Sequence, residues 1–304
     1  MQKGLASGYI AVPDNLARDT IAVKIRHALI TAAGPDQRRL PLQHLNSRSG
    51  EWKPAIAIQL DELLAAGIEK VGVVIKPADR PAYESLLAGF GDVVTLLEQA
   101  TPDGYGHAVL CGRAFTADHP FLLQVSDHLY VSDGEKSCTR QLLDAAEAQD
   151  CAVSAVQATH ERLLRYYGTV AGTLLSGRQG LYAVENVIEK PSPTVAEQTC
   201  VVPGLRNGHY LCFFGMHVMG PSLFELLEAE RAAQSGGKLG LSPALARLAA
   251  KEKYLAAELD GRRADLESHF GVLRAQLALG LAGPTRSELL AVLTEELAID
   301  AARH

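Results

Sequence analysis

The sequence predicts an α/β fold in which a mixed, mostly parallel sheet is flanked by helices, with a smaller antiparallel β elaboration and a helical C-terminus. Three observations predict it. Short apolar, β-branched runs alternate with segments whose apolar residues recur at helical spacing, as in β-α-β units. From about residue 158 strand-like runs follow one another with only turns between them, as antiparallel strands do. From Ser268 onward the pattern is helical, with one break at Gly283-Pro284.

The elements follow in order. Residues 25–33 read as a buried strand ending in Ala-Gly, and residues 54–66 as a helix stopped by Gly67, a C-terminal cap. Residues 71–75 are a near-continuous β-branched run, expected of a strand covered on both faces. Residues 81–87, 107–115 and 141–149 read as helices; residues 93–97, 120–125 and 152–156 read as strands. Strand-like residues 169–174, 180–187 and 208–218 form the antiparallel elaboration, followed by a helix over 221–231 and a loop at 235–237. Ser242-Pro243 is an expected N-cap and first-turn pair. The arrangement is Rossmann-like, and ligands of such sheets lie beyond the carboxyl ends of the strands. The segments ending at Gly34 and Asp127 therefore point into one crevice. The expected division is an N-terminal extension (1–23), a main domain (24–265, with one substrate part at 24–157 and a second at 158–265), and C-terminal helices (266–304).

Composition narrows the function. With 304 residues, 47% hydrophobic and 21% charged, the chain has an ordinary balance that can bury a sizeable core. A formal charge of -6 argues against general nucleic-acid affinity, which needs basic surface to displace counterions. A local pocket of Arg and Lys still suffices for a small anion. The five cysteines (Cys111, Cys138, Cys151, Cys200, Cys212) are scattered, without zinc or redox spacing, and read as reduced thiols. No run approaches the roughly 18 apolar residues of a membrane span. The apolar stretch 9–12 is broken by Pro13 and Asp14, too short for a signal peptide. A cytoplasmic protein with no membrane partner is expected. The apolar stretch 275–281 is a candidate interface of a homo-oligomer.

Five segments can carry chemistry. The turn Ala32-Ala33-Gly34-Pro35-Asp36-Gln37-Arg38-Arg39 follows a buried strand, so its backbone N–H groups can cradle phosphates and Arg38 can grip them; taken alone it reads more readily as a surface turn with solvated arginines. In Gln99-Ala100-Thr101-Pro102-Asp103-Gly104-Tyr105-Gly106-His107, two glycines ahead of a helix let backbone approach a flat ligand, and Gln99 can pair with a base edge. A plain loop with a structural His107 is the alternative. In Ser126-Asp127-His128, a carboxylate at a strand's C-terminal end is placed to hold Mg²⁺, or else to cap a turn. No second ligand stands at zinc spacing from His128, so zinc is not expected. Ile188-Glu189-Lys190-Pro191 can present an ammonium from extended chain to a phosphate, or be a solvated ion pair. Gly261-Arg262-Arg263-Ala264-Asp265 supplies a second carboxylate, or an N-terminal charge for the helix that follows.

Taken together and in order, these segments resemble the bacterial UTP–glucose-1-phosphate uridylyltransferase family over about residues 25–278. Residues 99–110 are similar to its Gln-x-x-Pro-x-Gly-x-Gly-His-Ala-Val-Leu. Lys53-Pro54-Ala55-Ile56, Ala65-Ala66-Gly67-Ile68, Tyr167-Gly168, Glu189-Lys190-Pro191, Gly215 with Pro221, and Gly261 with Asp265 recur in the family's order. The resemblance implies that Ala33, Gly34, Gln99, Gly104, Gly106 and His107 hold the nucleotide. It implies that Gly168, Glu189, Lys190 and Gly215 hold the sugar phosphate, and that Arg38 holds the leaving diphosphate. Asp127 and Asp265 would bind Mg²⁺, and Arg38, Asp127, Lys190 and Asp265 would form the catalytic set. The implied reaction is UTP with glucose 1-phosphate; dTTP, ATP, galactose or glucosamine 1-phosphate are alternatives, as is a non-catalytic nucleotide-sugar-binding regulator. The chain departs from the family in its turn, which lacks the second Gly and the Thr. Gly-Asp-Asp becomes Ser126-Asp127-His128, and Leu-Thr-Asp becomes Leu241-Ser242-Pro243. The family's catalytic lysine has no clear counterpart; Arg48 is the nearest substitute.

Overall fold

The structure, a computed structural model, describes residues 24–34, 38–234 and 236–303. The N-terminal extension, Pro35 to Gln37 of the first turn, and Ser235 of the expected loop lie outside the described residues.

Strand β1 (His27–Thr31) pairs in parallel with strands on both sides, which explains its unbroken buried centre Ala28-Leu29-Ile30. A small hairpin, β2 (His44–Asn46) and β3 (Trp52–Pro54), leads directly into helix α1 (Ala55–Ala65). Gly67 ends α1 as expected, because its φ of 99° is open to glycine and strained for other residues. Then come β4 (Lys70–Ile75), α2 (Arg80–Leu87) and β5 (Val94–Glu98). The helix expected over residues 107–115 is instead two, α3 (Tyr105–Leu110) and α4 (Arg113–Thr116). They part beside Gly112, whose missing side chain lets the chain pass against β1: a Cβ there would lie 2.4 Å from Leu29 Cδ2. Helical periodicity continues through this point, and only the close approach to the sheet breaks it.

β6 (Phe121–Val125) is followed at once by β7 (His128–Ser132), a strand the sequence pattern did not announce. Helix α5 (Cys138–Gln149) starts earlier than its periodicity suggests because Ser137 Oγ caps it, accepting from Arg140 N at 3.1 Å. Next are β8 (Ala152–His160), β9 (Thr169–Leu174), β10 (Leu181–Ile188), α6 (Pro193–Thr199), β11 (His209–Met219), α7 (Ser222–Ala233) and α8 (Ser242–Lys251). The chain closes with β12 (Tyr254–Glu258), β13 (Gly261–Asp265), α9 (Gly271–Leu281) and α10 (Arg286–Ala301).

Nine strands form one mixed sheet in the order β5-β4-β1-β6-β11-β8-β12-β10-β9. Its parallel character belongs to β5-β4-β1-β6 and to β8-β12; β9, β10 and β11 join it antiparallel. The antiparallel elaboration is thus built into the main sheet, with β11 wedged at its centre. One face is covered by α1, α2 and α5 through Ile56, Leu60, Tyr83 and Leu142; the other by α3, α7 and α8 through Val109, Phe224 and Leu245. A separate ribbon pairs β7 with β13, placing Asp265 opposite His128. Helix α9 covers that ribbon, and Ala275 and Leu279, from the stretch read as an interface, pack against Leu129, Val131 and Ala264 of the same chain.

On α1, Glu62 faces this ribbon and accepts from Thr139 Oγ1 at 2.9 Å. Burial pushes its carboxyl up to about 7, opposed by the Thr139 hydrogen bonds and the Arg48 charge. The folded chain therefore binds this proton more tightly than the unfolded chain, and stability falls as pH rises from the ordinary carboxylate range to about 7. Glu62→Gln is expected to be about 1–3 kcal/mol more stable than the native chain at pH 8, and no more stable at pH 4. Urea midpoints measured across that range check this.

Candidate active site

The carboxyl ends of β1, β5 and β6 open into a cavity of about 540 Å³, closed on its far side by β9, β10, β11 and the start of α8. Parallel pairing puts these ends at one edge: Ser126 N donates to Thr31 O at 3.3 Å, and Gln99 N to Ile75 O at 2.8 Å. Ala33, Gly34, Gln99, Gly104, Asp127, Gly168, Glu189, Lys190 and Gly215 all line this one cavity.

Its acidic centre is the ribbon. Asp127 is 7% exposed, and His128 Nδ1 lies 2.8 Å from its Oδ1. Burial alone would raise the Asp127 carboxyl, but the charge and hydrogen bond of His128 and a backbone N–H hold it below its ordinary value. The other nitrogen of the same ring, Nε2, lies 4.0 Å from Asp265 Oδ2. One imidazole thus stands between the two carboxylates. Asp265 is pinned on both oxygens: Tyr167 OH donates to Oδ2 at 3.1 Å, while the N–H groups of Glu267 and Ser268 donate to Oδ1 at 2.9 and 3.2 Å. The Arg263 guanidinium sits 3.6 Å from the centre of the Tyr167 ring, locking the phenol in place. Asp265 is therefore a strand residue with a turn behind it, and not the N-terminal charge of α9.

At the opposite end, Gln99 Nε2 donates to Gly104 O at 3.1 Å and to His107 Nδ1 at 3.0 Å. Both amide hydrogens are used, so the group left facing the cavity is the carbonyl oxygen, an acceptor. Gly104 has a φ of 104°, and a Cβ there would lie 2.4 Å from Leu239 O, so this loop is packed tightly onto the segment before α8.

The far wall carries Glu189 and Lys190. Ser242 Oγ donates to Glu189 Oε2 at 2.6 Å, so Ser242 orients this carboxylate and does not cap α8 as its sequence suggests. Lys190 Nζ lies 3.9 Å from Glu189 Oε1. The extended backbone expected for Lys190 is replaced by a left-handed one, with φ 46°.

Other expected residues stand elsewhere. Arg38 lies 3.6 Å from Asp79 and is absent from the lining. Gly106 packs against the segment before α8, its N–H donating to Leu239 O at 2.9 Å, and His107 braces Gln99 from behind. Arg48 donates to Ala282 O at 2.9 Å and lines a different cavity with Glu62 and Leu279, so it is no substitute for a lysine at this site. Besides Lys190, a second cation lining the site is Lys238, which follows a glycine-rich loop and has no local signal. His217 and Tyr105 also line it and were not singled out by sequence.

Among the described residues no three His, Cys, Asp or Glu side chains converge to enclose an ion, and no helix is long and apolar enough to cross a membrane. Asp127 at the cavity wall, with Asp265 across the His128 ring, suits Mg²⁺, which takes one or two carboxylates and completes its shell with water and phosphate.

The nucleotidyl transferase family profile matches residues 43–259. The chain is 31% identical over 300 residues to the UTP–glucose-1-phosphate uridylyltransferase YngB of Bacillus subtilis, covering 90% of this chain and 95% of that protein. It is 28% identical over 288 residues to the UTP–glucose-1-phosphate uridylyltransferase of Streptococcus pneumoniae, covering 86% and 92%. Among solved structures, the UTP-bound UGPase from Acinetobacter baumannii superposes with a TM-score of 0.67 at 23% identity, covering 89% of this chain and 99% of that one. A UDP-glucose pyrophosphorylase complexed with UDP-glucose gives 0.67 at 23%, covering 84% and 98%. These two likenesses are of fold.

Proposed function

The chain belongs to the nucleotidyl transferase family, and on that premise we propose that it joins UTP to glucose 1-phosphate, forming UDP-glucose and releasing diphosphate. One observation carries the reading. Asp127, the Gln99 acceptor and the Glu189–Lys190 pair line a single cavity, and Asp265 stands behind Asp127 across the His128 ring.

An oxygen of the sugar phosphate attacks the α-phosphorus in line, an O–P bond forms, and the bond to diphosphate breaks. The attacking group is already an anion, so no protein nucleophile is needed, and positioning and charge neutralisation supply the catalysis. Lys190 meets the sugar phosphate, while Glu189, held by Ser242, accepts from sugar hydroxyls. Lys238, which lines the cavity, takes the diphosphate-holding role expected of Arg38, because Arg38 is engaged by Asp79 outside the lining. We assign Mg²⁺ to Asp127 and Asp265; bound there it supplies charge neutralisation between the two phosphate-bearing substrates. A reducing, cytoplasmic setting suits the scattered cysteines.

The Gln99 oxygen complements the N3–H of uracil, whereas cytosine presents an acceptor at that position. Diphosphate release from a matrix of UTP, dTTP, CTP and ATP with glucose, galactose and glucosamine 1-phosphates tests the reading. The expected result with Mg²⁺ is highest kcat/KM for UTP with glucose 1-phosphate, and about 100-fold less for CTP. Preference for CTP or ATP overturns the base assignment. A second reading, binding without turnover, is favoured by His128 standing between the carboxylates. Tight UDP-glucose binding with no diphosphate release from any pair would select it.

A further inference from the structure

His217, on β11, is 3% exposed yet lines the cavity beside Phe213, whose ring meets it edge-on at 4.9 Å. Directly across the strand pair, on β8, stands Ser154, and its Oγ lies 2.6 Å from His217 Nδ1. The same Oγ lies 2.5 Å from the hydroxyl of Tyr254 on β12. All three side chains are buried.

Proton bookkeeping along this row gives one solution. The Tyr254 hydroxyl has Ser154 as its one hydrogen-bond partner among the described residues, and a buried phenol hydrogen left unpaired is costly. Tyr254 therefore donates to Ser154, Ser154 donates to His217 Nδ1, and the ring proton resides on Nε2. Burial lowers the His217 pKa to about 3, so the ring stays neutral at physiological pH. Nε2 has no protein partner among the described residues and is not sealed from the cavity. What the wall presents there is one uncharged N–H whose direction is set from behind.

We propose that His217 is a sugar-specificity residue, its Nε2–H donating to one hydroxyl oxygen of the sugar 1-phosphate. The proposal rests on the nucleotidyl-transfer reading of this cavity. It adds a second polarity to the sugar wall: Glu189 can only accept and His217 can only donate, so together they read hydroxyls by position and orientation. Ser154 and Tyr254 touch no substrate; they are positioning residues that fix the tautomer.

The test measures kcat/KM with UTP for glucose 1-phosphate and its 2-, 3-, 4- and 6-deoxy analogues, in the native chain, His217→Phe and His217→Gln. The native chain is expected to lose about 10- to 100-fold on the analogue lacking the contacted hydroxyl. His217→Phe should lose a similar factor on glucose 1-phosphate and nothing further on that analogue, with KM for UTP unchanged. His217→Gln, which can place an N–H near the same point, should restore part of the discrimination. Equal factors in the native chain and His217→Phe for all four analogues would overturn the proposal while leaving nucleotidyl transfer intact. Absence of diphosphate release in the native chain would instead remove the underlying reading. Should His217→Phe not fold, imidazole ¹⁵N spectra of the native chain decide the tautomer, and a proton on Nδ1 refutes the assignment. Tyr254→Phe, which keeps the ring and releases the tautomer, should weaken discrimination at the same hydroxyl; unchanged discrimination there counts against it.

Discussion

Asp127→Asn is expected to lower kcat about 10³-fold while leaving KM for UTP within about threefold. The substitution preserves shape in a site where the carboxylate is 7% exposed and 2.8 Å from the His128 ring, so the fold should survive it. What it removes is charge. Asp127 is held ionised below its ordinary value despite burial, because His128 and a backbone N–H favour the anion. A buried anion at the mouth of a cavity proposed to take phosphates is costly unless a cation is to share it, and this is why its loss should fall on turnover more than on nucleotide affinity. Steady-state kinetics at saturating Mg²⁺, with thermal unfolding as a control for folding, check the prediction. Near-native turnover of the Asn variant would remove Asp127 from the metal site.

Lys190→Gly should move activity and stability in opposite directions. Lys190 has a φ of 46°, a conformation that costs a side-chain-bearing residue roughly 1–2 kcal/mol, and the following Pro191 restricts its backbone further. Glycine adopts that backbone freely but loses more entropy on folding, so the net gain should be about 0.5–1 kcal/mol in urea unfolding. Removing the ammonium should lower kcat/KM for the sugar 1-phosphate about 10²-fold, with KM for UTP little changed. A strained residue retained where a glycine is more comfortable is the pattern expected when function holds the position. If both activity and stability fall, the strain is not local to Lys190.

Much of the fold is legible because it rests on local rules. The β-branched run at residues 71–75, the helical period ending at Gly67 and the break at Gly283-Pro284 each specify an element within a few residues. Chemistry-bearing residues at strand ends were legible for the same reason: in a parallel sheet, β1 and β6 must finish at one edge, and Gly34 and Asp127 finish there. Ser242 shows the limit of local reasoning. Its sequence context favours capping, yet its hydroxyl goes to Glu189, 53 positions away.

By itself the sequence determined the alternation of strands and helices, the edge at which the cavity opens, and the types of side chain waiting there. Those follow from periodicity, turn chemistry and handed connections, all of which act over short stretches of chain. Only the tertiary structure decided that β7 pairs with β13 so that His128 comes between two carboxylates, that Arg38 and Arg48 turn away while Lys238 turns in, and that Ser154 and Tyr254 aim His217. Each of these depends on register between segments far apart in the chain. A shift of one residue reverses the face a side chain occupies, and nothing in the local pattern records which register wins.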